Sequence, residues 1–158
     1  MPFPVIASPL LGAAYYDELI SSVDNARSSI LVVQYQWKWN VHERRSRVQC
    51  LGASVIRARA RGLDVRVILN NESPMRNLSK INRVTGNALG NAGCLIKNLR
   101  SVSLVHTKLW IIDGVLTFLG SHNISTRSLT VNEETSVKIE SRDFAKYMQK
   151  YFENLWVS

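Results

Sequence analysis

The stretch His106–Asn123, "HTKLWIIDGVLTFLGSHN", places one of the chain's three histidines two residues before a lysine. An apolar run, an Asp-Gly pair and a second apolar run ending in Gly-Ser follow it. Trp110, Ile111 and Ile112 read as a strand buried on both faces, Asp113-Gly114 as a hairpin-type dipeptide, and Val115 to Leu119 as a second strand. Residues i and i+2 of a strand share a face, so His106 and Lys108 project together while Thr107 and Leu109 project the other way. Gly120-Ser121 ends the second strand, and Asn123 follows within hydrogen-bond reach of such a turn. A histidine, a cation, a hydroxyl and an amide thus converge at one end of a sheet. That set offers a nucleophile or proton carrier beside donors suited to phosphate oxygens. Asp113 falls at the other end of the strand, roughly 16 to 23 Å from His106 at about 3.3 Å per residue, and reads as a structural turn residue.

Working outward, helical and strand patterns alternate. Ser8-Pro9 reads as an N-cap with proline in the first helical position, followed by Tyr16, Leu19, Ile20 and Val23 at amphipathic spacing. "SILVVQYQW" suits a buried strand. Arg47 to Arg61 carries Val48, Leu51 and Val55 on one helical face and stops at Gly62, a C′ glycine. "DVRVILN" is a further strand, Ser79 to Ala92 a weaker helix interrupted by Gly86 and Gly90, and "CLIKN" a third short strand. Glu134 to Glu140 is another. Ser141 caps a last helix, with Asp143 near its positive end and Phe144, Tyr147, Met148, Tyr151 and Leu155 as a core-facing stripe. Helices alternating with buried strands predict an α/β fold with a mixed, largely parallel sheet flanked by helices on both faces.

A chain of 158 residues, 46% apolar and 20% charged, predicts a single domain over residues 1–158. Cys50 and Cys94 are too few for a disulfide framework and fit no C-x-x-C pattern. The N-terminus has no basic region ahead of an apolar core, and no run approaches 18 apolar residues, so neither a signal peptide nor a stable membrane insertion is read. A cytoplasmic location is the expectation. The net charge of +8 is regional: from Lys38 to Lys108 there are 14 Lys/Arg against 3 Asp/Glu, or +11, and the remainder holds 6 against 9, or −3. Such a region concentrates polyanions through its summed field, although a surface charged for solubility would look the same.

The spacing H-x-K, four residues, D, six residues, G-S-x-N resembles the HKD motif of the phospholipase D superfamily. It is complete here in His106, Lys108, Asp113, Gly120, Ser121 and Asn123. "SLTVNEE" supplies Asn132 and Glu134 at the N-x-E position that commonly follows the motif. "VIRARARGLDVRVILN" and "YYDELISSVDNARSSILVVQY" are similar to the helices and strands that precede it, so the likeness covers roughly the whole chain. Six fixed positions at fixed spacing have a low chance rate. The resemblance implies phosphodiester chemistry with no metal and no cofactor. One motif histidine, His106, would attack phosphorus and form a phosphohistidine, and the histidine of a second motif would protonate the leaving oxygen and then activate water. Lys108 and Asn123 would hold nonbridging oxygens, Ser121 would add a donor, and Glu134 would accept a hydrogen bond from the imidazole and fix its tautomer. Asp113 and Gly120 would be structural members of the motif.

No second H-x-K occurs in the chain. The complementary histidine then has to come from another copy, which predicts a two-fold homodimer with both His106 side chains at the interface. Membrane-lipid members of the superfamily usually carry both motifs on one longer chain, whereas small single-motif members resemble the bacterial Nuc-type endonucleases. With the basic region, this favours nucleic acid as substrate and little sequence preference. Arg76, Lys80, Arg83, Lys97, Arg100 and Arg127 are candidate backbone contacts. Two alternatives stand: a phospholipid such as cardiolipin, for which Trp37 and Trp39 around Lys38 would suit a membrane interface, and a non-catalytic nucleic-acid-binding module with a relic site. His42, with no pattern around it, reads as structural, and the role of His122 is open.

Overall fold

The computed structural model describes residues 3–70, 76–99 and 104–158. Their elements are β1 (Ile6–Leu11), α1 (Ala14–Asp24), β2 (Ser29–Gln34), α2 (Arg47–Ala60), β3 (Asp64–Asn70), α3 (Arg76–Asn91), β4 (Leu95–Leu99), β5 (Lys108–Ile112), β6 (Leu116–Gly120), α4 (Thr126–Thr130), β7 (Thr135–Glu140) and α5 (Arg142–Val157). The strands form one seven-stranded sheet in the order β1-β7-β6-β5-β2-β3-β4.

Apolar side chains alternate across the central strands and so bury both faces. Ile30 and Val32 of β2 join Val65, Val67, Trp110 and Phe118 under α1, α2, α3 and α4. Leu31 and Val33 join Ile68, Leu109 and Ile111 under Ala145 and Phe152 of α5. The mixed α/β fold with helices on both faces is therefore present, with four helices on one face and α5 alone on the other. The helix ends follow local chemistry: Ser46 caps α2 through Gln49 N (3.3 Å) and Ser141 caps α5 through Phe144 N (3.4 Å).

The sheet is mostly antiparallel, which corrects the expectation of a largely parallel one. Only β2/β3 and β3/β4 are parallel, each joined by a helix crossover; β1/β7, β7/β6, β6/β5 and β5/β2 are antiparallel. The reason is the tight connection after β5. Asp113 and Gly114 both take positive φ, 54° and 62°, and reverse the chain at once. The N-terminal expectation is also corrected: Ser8-Pro9 lies within β1, an edge strand in which Pro9 pairs with Val137, and α1 begins at Ala14. A proline is tolerated there because an edge strand has neighbours on one side only. On α5 the fully buried positions are Ala145 and Phe152; Met148, Tyr151 and Leu155 are half-buried and Tyr147 is 59% exposed. A helix alone on its face covers only its underside.

Candidate active site

β5 begins at Lys108, which pairs with Gln34 at the end of β2, and the pairing runs on through Tyr35 N to Thr107 O at 3.0 Å. Asn70 Nδ2 donates to Val105 O at 2.7 Å and holds the segment ahead of it. His106 is exposed at this sheet end, and Lys108 is 6% exposed. They share a side as the period-two spacing requires: Lys108 Nζ lies 2.9 Å from His106 Nδ1 and donates to His106 O at 2.8 Å. Tyr35 backs both, with the imidazole 4.3 Å from its ring centre and the ammonium 4.7 Å. Thr107 takes the opposite face and meets the Tyr151 hydroxyl at 2.8 Å.

The second half of the constellation is the turn after β6. Gly120 runs so close to β7 that a Cβ there would fall 2.4 Å from Ser136 Cα, so only glycine fits. Ser121 Oγ donates to Glu134 at 2.5 Å and accepts from Thr135 N at 3.0 Å. Asn123 N donates to Ser128 Oγ (3.0 Å), whose hydroxyl donates to Glu134 (2.7 Å), and Asn132 Nδ2 adds a bond at 3.3 Å. Asn123 Oδ1 is buried with no hydrogen-bond partner among the described residues. Glu134 thus braces the Ser121–Asn123 loop. The bond to its own chain's His106 that the resemblance implies is absent; the three donors above occupy the carboxylate instead.

Burial, and next the Lys108 charge, hold the His106 imidazole below its ordinary pKa. Burial likewise lowers Lys108, against the opposing charge of Glu134. Burial alone would push Glu134 up, but its hydroxyl and amide donors outweigh that and bring it below the usual carboxylate range. The arrangement therefore presents an exposed imidazole, a lysine donor beside it and a braced loop carrying an amide. It can attack an electrophilic phosphorus while neutralising its oxygens.

Several participants carry no sequence signal. Ser128 and Tyr35 belong to no motif. His122 is fully buried, stacked on Tyr15 (4.1 Å, 8°), with Nδ1 2.6 Å from Ser136 Oγ and Nε2 2.9 Å from Gly12 O, which makes it a rivet of the loop and not a substrate contact. His42 is exposed in the β2–α2 connection. Asp113 sits where expected, at the far end of β5, its carboxylate accepting from Arg27 N, Ser28 N, Ser28 Oγ and Ser29 N. The basic candidates are not gathered together. Lys80 and Arg83 are exposed on α3, Arg127 is exposed on α4, and Lys97 lies on the α5 side of the sheet, in register with Ile68. Arg100 and the side chain of Arg76 lie outside the described residues. Trp37 is fully buried and so is no interfacial anchor, while the half-buried Trp39 packs its ring against Gly52. Among the described residues no three of His, Cys, Asp and Glu come together as a metal-ligand set, and no helix is long and apolar enough to cross a membrane.

This fold and constellation define a class, and residues 19–156 match the family model described as "Cardiolipin synthase, PLD-like domain". The chain belongs to the phospholipase D-like family. Among solved structures it is similar to the phospholipase D family member Nuc from Salmonella typhimurium, with a TM-score of 0.80 at 19% identity over 97% of this chain and 95% of that one. At that identity the likeness speaks of the fold. It is 29% identical over 106 residues to the mitochondrial cardiolipin hydrolase of Xenopus tropicalis, covering 67% of this chain and 48% of that protein. It is 23% identical over 163 residues to the 5'-3' exonuclease PLD3 of Xenopus laevis, covering 96% of this chain and 32% of that protein. The chain therefore spans half or less of the length of these two relatives.

Proposed function

We propose that the chain is a metal-independent phosphodiesterase that cleaves nucleic-acid backbones and works as a two-fold homodimer. The observation that carries this reading is the exposed His106 held against the buried Lys108, with Asn123 on the neighbouring braced loop. In the first step His106, unprotonated, attacks phosphorus, an N–P bond forms, the P–O bond to the leaving strand breaks, and the partner's His106, protonated, gives that oxygen its proton. In the second, the partner's imidazole takes a proton from water, the water oxygen attacks phosphorus, and His106 leaves. Lys108 and Asn123 hold the nonbridging oxygens, Ser121 adds a donor, and Glu134, occupied by its own loop, keeps that loop in place.

A single H-x-K histidine per chain supports the dimer. A groove of about 510 Å³, lined by Thr107, Leu119, Tyr147, Met148, Lys150, Tyr151 and Asn154, opens along α5. A two-fold axis that brings two equivalent histidines together passes by the sheet end that carries His106, since Thr107 and this groove take the opposite face. Nucleic acid is favoured by the +11 region between Lys38 and Lys108 and by the similarity to an exonuclease. The similarity to a cardiolipin hydrolase supports phospholipid as the second reading, although the burial of Trp37 takes away half of the sequence argument for it.

The test is incubation of the protein with single- and double-stranded DNA, RNA and cardiolipin vesicles in EDTA, with His106→Asn in parallel. Cleavage of a nucleic acid that vanishes in the variant is the expected result. Lipid turnover alone selects the second reading, silence with retained binding selects a binding module, and activity lost to EDTA overturns the metal-free mechanism.

A further inference from the structure

Residues 35 to 46 join β2 to α2 and form a strap fastened from three sides. Trp37 N donates to Asn82 Oδ1 (3.0 Å) and Trp39 N to Thr85 Oγ1 (3.1 Å), both on α3. From α2, Gln49 Nε2 donates to Asn40 O (2.6 Å), and Gly52 makes room for the Trp39 ring, which a Cβ would strike at 2.1 Å. On the third side, Lys38 N donates to Ile124 O (2.7 Å), Ile124 N donates to Gln36 O (3.0 Å), and Thr126 Oγ1 donates to Glu43 (2.9 Å). Ile124 is the residue after Asn123, so the strap borders the proposed active-site loop directly.

The side chains on the strap contrast with the cations of α2, its C-cap and β3. Arg57 and Arg66 pair with acids, and Arg47, Arg59 and Arg61 bond backbone carbonyls, so these five hold the fold. Lys38, Arg44 and Arg45 are exposed, and no hydrogen bond or ion pair engages their side chains among the described residues. Arg127, four residues past Asn123, is exposed in the same way. The only strap carboxylate, Glu43, is engaged by Asn40 and Thr126. Unneutralised cations on a rigid loop keep their field and lose little side-chain-independent freedom when a polyanion arrives.

We propose that the strap, through Lys38, Arg44 and Arg45 and continued by Arg127, is a phosphate-binding ledge that holds the nucleic-acid strand running away from His106. The ledge rests on the nucleic-acid reading and adds to it the surface that the strand follows. It replaces the scattered set of Lys80, Arg83 and Lys97 as the principal backbone contact.

The test uses His106→Asn protein, which separates binding from cleavage, and a fluorescein-labelled 20-nucleotide DNA single strand in EDTA across a range of KCl. Replacing Lys38, Arg44 and Arg45 together by Ala should flatten the slope of log affinity against log salt by about 2, at roughly 0.7 for each phosphate contact of a single strand, and weaken binding about ten-fold or more at low salt. A Gln triple at the same positions serves if the Ala protein melts early. Replacing the exposed Arg142, Lys146 and Lys150 of α5 together by Ala is the comparison for net charge alone. Parallel salt lines for the strap and parent proteins, an equal loss in the α5 variant, no salt-dependent strand binding at all, or loss of cardiolipin-vesicle binding with DNA binding kept would each overturn the ledge. Nuclease activity in the wild type alongside any of these would leave the proposed function standing.

Discussion

Asp113 was legible in the sequence as a turn residue, but the number of donors it gathers was not, since Arg27, Ser28 and Ser29 lie more than eighty positions away. Burial pushes its carboxyl up, and the bonds from those three backbone N–H groups and the Ser28 hydroxyl outweigh it, so its pKa lies below the usual carboxylate value. Asp113→Asn keeps a residue that tolerates the positive φ and removes the charge. It should lower unfolding free energy in urea by about 1 to 2 kcal/mol at pH 7, the lower part of the range for bonds to a charged group because the site is half-exposed. Because the folded pKa is depressed, that difference should be present above the ordinary carboxylate pKa and vanish as pH falls through the folded value. His122 is a different residue-scale case, since nothing local marked it as a core side chain. Burial lowers its pKa from 6.5, with the Gly12 carbonyl and Glu134 opposing. The unfolded state then binds more protons below that value, so stability is full above pH 6.5 and is lost as the pH falls below it. Melting temperatures from pH 7.5 to 5 should show a decline that His122→Gln reduces; an equal decline in both would sink the assignment.

At the scale of elements, the period-two spacing, the Asp-Gly dipeptide and the helix ends at Gly62 and Ser141 were readable because each is written within a few residues. Strand direction was not. Whether a strand returns beside its predecessor or crosses over depends on distant partners, and β1 and β7 pair across the whole chain. The proline in β1 carried a strong helix-start signal that edge position overrode. Gly120 shows the same limit inside the motif: spacing marks the glycine, while its cause is the approach of Ser136 from a strand beyond α4. Gly120→Ala should force β6 and β7 apart at their active-site ends. A loss of about 1 to 3 kcal/mol in stability, together with reduced turnover at temperatures where the protein remains folded, is the expected outcome of denaturation and rate measurements. Unchanged turnover would mean that the loop does not depend on that spacing.

For the whole molecule, the uneven dressing of the sheet matters most: α1 to α4 on one face, α5 alone on the other with a groove at its flank. The sequence held the apolar stripe of α5 but not which part of it the sheet would cover, because that depends on how many helices share the face. If two copies meet at the sheet end that carries His106, specific activity should fall on dilution in step with the dimer fraction seen by analytical ultracentrifugation. Equal mixtures of wild type and His106→Asn that have exchanged subunits should retain about one quarter of the activity of the same total of wild type if both histidines are needed, and about one half if each protomer acts alone.

The riveting of His122 to Gly12 and Ser136 has a consequence for the order in which the protein becomes competent. His106 and Lys108 are synthesised before the strand that carries Ser136, and the loop bearing Ser121 and Asn123 has no seat until β7 arrives to join the turn at Gly12, 110 positions back along the chain from His122. Contacts of such sequence separation form late. A nascent chain therefore bears the histidine and the lysine, but not the braced loop beside them, until its final third has been synthesised.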